Sequence, residues 1–425
     1  MFLAVLFIIF AALLLIGVPI GIALGVTTAV VMAFFTKLNL LLLAQNAVAG
    51  LDSFPLLALP FFVLVGNLMF YGGISRRLLD LAEAIVGKVV GGLGMVTTVA
   101  CMFFAAISGS GPATVSAIGT LIVPAMREKK YDVNFAAAIT AAAGSIGVII
   151  PPSIPFVIYA VITGTSIADL FLAGIIPGIL MGVMLMITNY VIAKKEGYKG
   201  SDRKDLKFLS VLKESIWALL MPVIILGGIY GGFFTPTEAA VVGCVYALVV
   251  GIFVYKEIKF PEIYGALKDT GLITGATVFT LAFSTSFANM ITMQQVPQMV
   301  VESLQVISDS PFVIMIIINI FLLMVGCFVD NISACIILSP ILLPIAIKLG
   351  IDPVHFGVIM TVNLAIGFCT PPYGINLFVA AAVSDTTVSK LTKFIIPFLI
   401  AMLITLIMVT YIPALSMALP NFFGG

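Results

Sequence analysis

Residues 108–112 read Ser-Gly-Ser-Gly-Pro, in the middle of an apolar run over 92–126. That run joins two groups of basic residues, and it is too long for one membrane crossing and too short for two. Glycine and proline are poor helix formers, so the run is expected to turn here. The sequence therefore predicts a re-entrant helical hairpin over 92–126, which enters the membrane, turns at mid-depth and leaves on the same side. Residues 311–347, with a polar break from Gly326 to Asn331, predict a second hairpin from the other face.

The composition places these hairpins in a membrane. Of the 425 residues, 62% are hydrophobic and only 9% are charged, and the mean hydropathy is +1.26. A soluble domain carries about 25% charged residues, so much of this apolar surface must face lipid. We therefore expect an all-α polytopic membrane protein. The net charge of +1 argues against a nucleic-acid partner, and the five cysteines lie in apolar runs without the spacing of a metal site.

The basic residues predict which helix ends face the cytoplasm. Nearly all of the 20 Lys and Arg residues fall in five groups, which the positive-inside rule places in the cytoplasm. These groups lie at 76–88, 127–130, 194–213, 256–268 and 390–393. We interpret residues 194–210 as a cytoplasmic linker between two halves, and the N-terminus is expected on the outer side.

The two halves are related by an internal repeat. After a shift of 220 residues, Pro124 falls on Pro344, Gly147 on Gly367, Pro151-Pro152 on Pro371-Pro372, and Pro177 on Pro397. Chance would give far fewer proline matches at a background of about 5%. We interpret residues 1–193 and 211–417 as two repeats. An odd number of crossings in each predicts that the second repeat is inverted in the membrane.

Each repeat is predicted to contain scaffold helices, an amphipathic helix, a hairpin, a broken helix and a final helix. The scaffold helices are expected within 2–73 (as 2–16, 18–36 and 55–73) and within 211–290 (the last at 271–290). The amphipathic helices are expected at 76–90 and 293–307, the hairpins at 92–126 and 311–347, and the broken helices at 132–162 and 353–384. Inverted repeats with two hairpins and two broken helices are typical of secondary transporters, whose binding sites lie between the repeats.

The breaks predict sites for a cation. Proline lacks the amide that would close the preceding helical turn, so backbone carbonyls near Gly147 and Gly367 are expected to lose their partners. Carbonyl and hydroxyl oxygens together suit Na⁺ better than a transition metal. The alternative is that these prolines only kink the helices. The predicted Na⁺-binding residues are Ser108, Ser110, Gly147, Pro151, Gly326, Asp330, Gly367 and Thr370.

The half-helices that follow the breaks predict a site for an anion. Their N-termini present free amides and the positive end of the helix dipole. The candidate substrate-binding residues at these ends are Thr114, Ser153, Ser333 and Asn376.

Two ionisable residues lie within or at the edge of the predicted membrane segments. Asp330 is the only carboxylate within the apolar spans of the hairpins, which makes it a candidate to neutralise Na⁺ or to carry a proton. Alternatively, it caps the half-helix that starts near Ile332. His355 is the only histidine and follows Asp352-Pro353 at a predicted membrane edge, where a surface role is expected. The chain has no Walker A, HExxH, GxSxG or CxxC pattern, so we expect neither an ATPase nor an enzyme, and no cofactor beyond a coupling ion.

Several runs, in order along nearly the whole chain, resemble the large membrane subunit of tripartite ATP-independent periplasmic (TRAP) transporters. They are Leu51-Asp52-Ser53-Phe54-Pro55 with the apolar residues up to Phe62, then 108–114, 151–153, Thr235-Pro236-Thr237-Glu238 and Thr370-Pro371-Pro372. The resemblance implies an importer of organic anions such as C4-dicarboxylates or sialic acid, driven by Na⁺, in a bacterial inner membrane. It also implies an elevator-type mechanism and two partners: a separate small four-helix membrane subunit and a periplasmic substrate-binding protein.

In the elevator mechanism, the hairpins and broken helices would slide as one domain against the scaffold helices. Three other classes remain open at this point. They are a proton-coupled organic-anion carrier that uses Asp330, an intramembrane enzyme and an anion channel.

Overall fold

The computed structural model describes residues 2–36, 38–200, 208–296, 298–299, 308 and 310–423. Within these residues every regular element is a helix, which confirms the all-α class. The first half contains α1 (Phe2–Leu15), α2 (Ile20–Phe35), α3 (Leu41–Leu51), α4 (Ala58–Tyr71), α5 (Ile74–Val86), α6 (Gly92–Ser108), α7 (Gly111–Glu128), α8 (Val133–Gly144), α9 (Ile154–Thr163) and α10 (Ile167–Glu196). Short 3-10 helices precede α4 at Phe54–Leu57 and follow α8 at Ser145–Val148.

The described residues of the second half also form a series of helices. They are α11 (Phe208–Tyr230), α12 (Pro236–Val249), α13 (Phe260–Met293), α14 (Pro311–Gly326), α15 (Asn331–Lys348), α16 (Pro353–Gly367), α17 (Ile375–Val383), α18 (Val388–Tyr411) and α19 (Ala414–Phe423). A π-helical turn at Val250–Val254 extends α12. Seven of the described helical spans are long and apolar enough to cross a bilayer, as a multi-pass membrane protein requires.

Two scaffold elements differ from the expected pattern. Helix α3 lies in a stretch for which no helix was expected. Helix α13 begins at Phe260, well before the expected start at residue 271, and has Pro261 in its first turn, where proline is favoured. The expected amphipathic helix at 76–90 is α5, whereas most of 293–307 lies outside the described residues.

Helices α6 and α7 pack against each other and form hairpin 1, and α14 and α15 form hairpin 2. Hairpin 1 turns at Gly109, whose φ of +61° is a left-handed conformation that favours glycine. In hairpin 2, α14 ends at Gly326 and Asp330 caps the start of α15.

The broken helices also correspond. Helices α8 and α9 flank break 1 (residues 145–153), and α16 and α17 flank break 2 (residues 368–374). Asp132 and Asp352 cap α8 and α16 in the same way, each carboxylate accepting two backbone N–H groups. Both Pro-Pro bonds are cis. The two halves therefore share local structure at positions 220 residues apart.

The helices pack in two groups that meet along α4 and α13. Helix α13 packs against α2, α3 and α4, while α7, α8 and α17 pack against one another, α9 against α15, and α14 against α16. Contacts of α4 with α6 and α9, and of α13 with α15, join the two groups. The repeat boundaries 1–193 and 211–417 stay a prediction, and residues 201–207 of the expected linker lie outside the described part.

Candidate functional site

The tip of hairpin 1 lies directly against break 1. The N–H of Ile154 donates to the carbonyl of Gly109 over 3.3 Å. A Cβ atom on Gly109 would lie 2.7 Å from the carbonyl oxygen of Pro152, and one on Gly147 would lie 2.6 Å from that of Ser110. Such close backbone approach leaves no room for a side chain. Glycine at both positions is therefore what brings the tip and the break together.

Oxygen atoms gather where the two segments meet. The Ser108 Oγ and Thr114 Oγ1 atoms are 3.0 Å apart, and the Thr114 hydroxyl donates to the carbonyl of Ser110 over 2.7 Å. Ser108 and Thr114 are buried. A Cβ on Gly147 would lie 2.5 Å from Thr114 Oγ1, so the backbone of break 1 lies against this group. Three predicted ion-site residues and one predicted substrate residue thus share one place.

In break 1, a side-chain hydroxyl rather than a helical N–H group bonds to a backbone carbonyl. The Ser153 hydroxyl donates to the Val148 carbonyl over 2.6 Å, and it accepts the N–H of Phe156 at the start of α9. One serine therefore serves the end of one half-helix and the start of the next. Pro151 and Pro152 are buried between these ends.

Hairpin 2 comes into close backbone contact with the last residue of α16, directly before break 2. A Cβ on Gly367 would lie 2.5 Å from the carbonyl oxygen of Gly326. The Thr370 hydroxyl donates to the Ile366 carbonyl over 2.9 Å, within its own helix turn. Phe328 is 67% exposed and Tyr373 is 62% exposed, so tip 2 and break 2 are open to the surface where tip 1 and break 1 are covered.

Asp330 caps α15, because its Oδ2 atom accepts the N–H of Ser333 over 2.9 Å. The capping alternative is thus seen directly. The cap leaves lone pairs on the half-buried carboxylate that could serve a cation.

The sequence reasoning missed one residue at this tip. Asn331, the first residue of α15, is 1% exposed, and neither its Oδ1 nor its Nδ2 atom has a hydrogen-bond partner among the described residues. Leaving a buried amide unpaired costs about 1–3 kcal/mol, so such a group is expected to meet a ligand. In the sequence Asn331 is marked only as the one carboxamide of α15, a helix that also contains Ser333 and Ser339.

Asn376, at the start of α17 after break 2, lies between α8 and tip 1. Its Nδ2 atom donates to the carbonyl of Ala141 over 3.2 Å, while its buried Oδ1 atom has no partner among the described residues. A Cβ on Gly111, the first residue of α7, would lie 3.4 Å from that Oδ1 atom. A predicted substrate residue of the second half therefore lies beside the tip of hairpin 1.

Two cavities lie beside the hairpins, one at tip 1 and one along α15. The serine cavity, of about 230 Å³, is lined by Ser108, Ser110 and Ser116 of hairpin 1, by the first-turn residues Ile154 and Ile332 of α9 and α15, and by α4 and α13. The hydroxyl cavity, of about 430 Å³, lies between α3 and α13 on one side and α9 and α15 on the other. Both cavities lie where the two groups of helices meet.

His355 is not at the surface, contrary to expectation. It is 3% exposed, and its ring nitrogens lie 3.0 Å from the Ser416 hydroxyl and 3.4 Å from the Thr410 carbonyl. Helix α19 packs against α16 and covers it. Among the described residues, no group of three His, Cys, Asp or Glu side chains lies together to hold a metal. The oxygens at the tips match the hard, oxygen-rich shell of an alkali cation.

Discontinuous helices, paired hairpins and polar cavities in an apolar chain define a membrane transporter. Residues 7–415 match the model of the family described as tripartite ATP-independent periplasmic transporter, DctM component. The chain belongs to this family of TRAP transporter large permeases, as its motifs indicated, and is a permease rather than an enzyme.

Three named relatives match 95% or more of this chain. The isethionate TRAP transporter permease protein DctMQ of Oleidesulfovibrio alaskensis is 46% identical over 100% of this chain, which spans 66% of that relative's length. The C4-dicarboxylate TRAP transporter large permease protein DctM of Pseudomonas aeruginosa is 42% identical, with 95% of this chain and 94% of the relative covered. The sialic acid TRAP transporter large permease protein SiaM of Vibrio cholerae is 40% identical, with 97% of each covered.

Two solved structures share the fold. The YdaH transporter of Alcanivorax borkumensis has a TM-score of 0.66 at 14% identity, covering 92% of this chain and 96% of its own. MtrF of Neisseria gonorrhoeae has a TM-score of 0.57 at 13% identity, covering 92% and 93%.

Proposed function

We propose that the protein is the membrane subunit of a Na⁺-coupled secondary importer of small organic anions. The observation that carries the proposal is the meeting of each hairpin tip with a broken helix through glycine backbone, at Gly147 against Ser110 and at Gly367 against Gly326. Such backbone in the middle of a bilayer needs polar partners, which a bound cation provides. The two predicted Na⁺ sites lie at these two meetings.

The anion would bind between the tips, where the half-helix N-termini converge. Ile154 and Ile332, at the starts of α9 and α15, line the serine cavity together with Ser108 and Ser110. The dipoles of α9 and α15 favour negative charge at these ends. Na⁺ bound beside them would fix the tips and add positive charge, so the two ligands would bind cooperatively.

The relatives suggest the substrate class. Those named for isethionate and for C4-dicarboxylates match nearly the whole chain at 46% and 42% identity. Isethionate carries a sulfonate, succinate carries two carboxylates, and both are small acids that helix N-termini would hold through their oxygens. We propose small carboxylates or sulfonates as substrates, with sialic acid as a larger candidate.

The family description names a tripartite, periplasmic system, and one relative bears the fused name DctMQ. We propose that this chain works with a separate small four-helix membrane subunit and a periplasmic substrate-binding protein. The complex would lie in the inner membrane of a bacterium with the N-terminus of this chain in the periplasm. The hairpins and broken helices would move as one elevator domain along α4 and α13.

Two Na⁺ ions per anion are sufficient without ATP. At about 100 mV and a tenfold Na⁺ gradient, each Na⁺ contributes roughly 2.3 kcal/mol electrically and about 1.4 kcal/mol chemically, while a monovalent anion costs roughly 2.3 kcal/mol. The surplus of about 5 kcal/mol supports accumulation of several thousand-fold.

The test is uptake by the reconstituted complex with its binding protein. Proteoliposomes are given either an inward Na⁺ gradient or an inward proton gradient, with choline replacing Na⁺ in the control. Accumulation of labelled isethionate or succinate with Na⁺ alone supports the proposal. Accumulation that follows the proton gradient and ignores Na⁺ would instead support a proton-coupled carrier, for which Asp330 is the candidate proton-carrying residue.

A further inference from the structure

The serine cavity has one charged side chain on its wall, that of Asp269. Hairpin 1 forms one side of the cavity, with Ser108, Ser110 and Ser116. Helices α4 and α13 form the other, with Asn67 of α4 and Asp269 of α13. A carboxylate thus faces the place where an anion is proposed to bind, which is unexpected in a site built for negative charge.

The carboxylate is held in place by the scaffold. The Tyr71 hydroxyl of α4 donates to Asp269 Oδ2 over 2.8 Å, and the Asn67 side chain donates to the Thr270 hydroxyl over 2.9 Å. Both bonds cross from α4 to α13, so they fix this wall of the cavity. Asp269 takes part in no ion pair of the described residues, and the neighbouring Lys268 is exposed and does not line the cavity. Asp269 therefore lines the cavity as a carboxylate with no cation in direct ion-pair contact among the described residues.

Further along α13, the residues that line a cavity are uncharged. Residues of α13 from Leu281 to Thr292 line the hydroxyl cavity, whose lining holds hydroxyl and amide groups but no charged side chain. Asp269 and Ser284 are separated by about 22 Å along one continuous helix, at about 1.5 Å per residue. The scaffold therefore presents a negative charge at one end of its contact with the moving elements and neutral polar groups at the other.

The negative end lies near the basic groups at 256–268 and 76–88, which the positive-inside rule places in the cytoplasm. We propose that Asp269 lowers the affinity of the cytoplasm-facing site for its anion and so favours release into the cell. This inference rests on the proposed function. When hairpin 1 lies beside Asp269, the fixed carboxylate repels the bound anion. An anion bound at the hydroxyl cavity would meet no such repulsion, because no charged side chain lines that cavity.

The test compares binding of isethionate and succinate to the full-length chain in nanodiscs at saturating NaCl. Asp269→Asn is expected to tighten isethionate binding on the order of tenfold, as for unit charges about 10 Å apart at an effective dielectric constant of about 20. Succinate carries two charges, so its affinity should rise on the order of a hundredfold, twice the effect on a logarithmic scale. Asparagine retains an acceptor for the Tyr71 hydroxyl, and the melting temperature checks that the fold is intact.

Two variants serve as controls. Asp269→Glu keeps the charge and should bind both anions as the wild type does. Glu214→Gln removes a charge from the neighbouring cavity, which Arg76 and Glu257 also line, and should change affinity less than about twofold because that exposed charge is screened by solvent.

Each other outcome has a distinct meaning. Equal affinity of Asp269→Asn and the wild type would overturn the inference alone. Weaker binding of the anion together with weaker binding of Na⁺ would overturn it too, because Asp269 would then serve a cation. Failure of the wild type to bind either anion in NaCl would overturn the proposed class of small substrates and this inference with it.

Discussion

Hairpin 1 and hairpin 2 share a backbone plan but differ in chemistry. Tip 1 is neutral and covered, with Ser108 and Thr114 hydrogen-bonded to each other and a backbone hydrogen bond from Ile154 to Gly109. Tip 2 is open, and it carries the Asp330 carboxylate and the unpartnered amide of Asn331. Both halves thus bring a hairpin against a broken helix, while the chemical groups at the two places differ.

The difference indicates unequal roles for the two tips. An ion at tip 1 would be held by backbone and hydroxyl oxygens that already satisfy one another, so binding would exchange existing hydrogen bonds. An ion at tip 2 would neutralise the charge of Asp330 and contact an amide that the folded chain leaves unpaired. Binding would therefore remove the free-energy cost of burying that amide without a partner. We therefore expect tip 2 to contribute more to Na⁺ affinity than tip 1.

The largest effect is expected from the glycine contacts on which both tips depend. Gly367→Ala would place a Cβ 2.5 Å from the Gly326 backbone, which cannot move aside as a side chain could. Overpacking costs about 1–3 kcal/mol, so Na⁺-dependent uptake should fall by about tenfold to a hundredfold. Gly147→Ala should lose somewhat less uptake activity, because one of the atoms that its Cβ meets belongs to the Thr114 side chain, which can move aside.

Gly271→Ala is the matched control, since a Cβ there meets nothing within 4 Å. Membrane insertion of all three variants is checked by the yield of purified protein. Uptake by Gly367→Ala within twofold of the wild type would show that close contact between tip 2 and break 2 is unnecessary.

The next effect separates the charge of Asp330 from its cap. Asp330→Asn keeps a capping oxygen for the Ser333 N–H but removes the charge, so half-saturation by Na⁺ should rise by about tenfold with the fold intact. Na⁺-dependent anion binding measures the change.

Asp352→Asn provides the control, because Asp352 also caps a helix, accepting the N–H groups of Val354 and His355 at the start of α16, away from the tips. It should leave the Na⁺ dependence unaltered. If both variants behave alike, the carboxylate at tip 2 is a cap and nothing more.

Asn331→Leu tests the unpaired amide. Replacing a buried group that lacks partners with an apolar side chain of similar size should stabilise the ligand-free protein by about 1–3 kcal/mol, seen as a higher melting temperature. Addition of Na⁺ and the anion should then no longer raise the melting temperature of this variant. By contrast, Asn363→Leu removes an amide that donates to Asn319 over 2.8 Å and should lower the melting temperature. A lower melting temperature for Asn331→Leu as well would mean that its amide is satisfied in the ligand-free protein.

Local signals explain what the sequence could predict. Glycine at 109 and the aspartates at 132, 330 and 352 act on their own turns, so hairpin tips and helix starts follow from nearby residues. The family motifs added the class of transporter.

What the sequence missed depends on distant contacts. The last scaffold helix was expected at 271–290, after the basic group at 256–268, yet α13 starts at Phe260 and includes Asp269, whose carboxylate accepts the Tyr71 hydroxyl. His355 was expected at the surface, but α19 folds back over it. Asn331 was overlooked because the lack of a partner is visible only in three dimensions.

The smallest effect is expected from single hydroxyls. Ser108→Ala removes the 3.0 Å contact with Thr114, but the Thr114 hydroxyl still donates to the Ser110 carbonyl. A hydrogen bond of this kind contributes about 1 kcal/mol, so half-saturation by Na⁺ should rise less than about fivefold. Thr188→Ala in α10 is the control, because its hydroxyl bonds only the preceding helical turn, at Met184. An effect of Ser108→Ala larger than that of Asp330→Asn would reverse the ranking of the two tips, because the neutral oxygens would then hold the ion more tightly than the charge does.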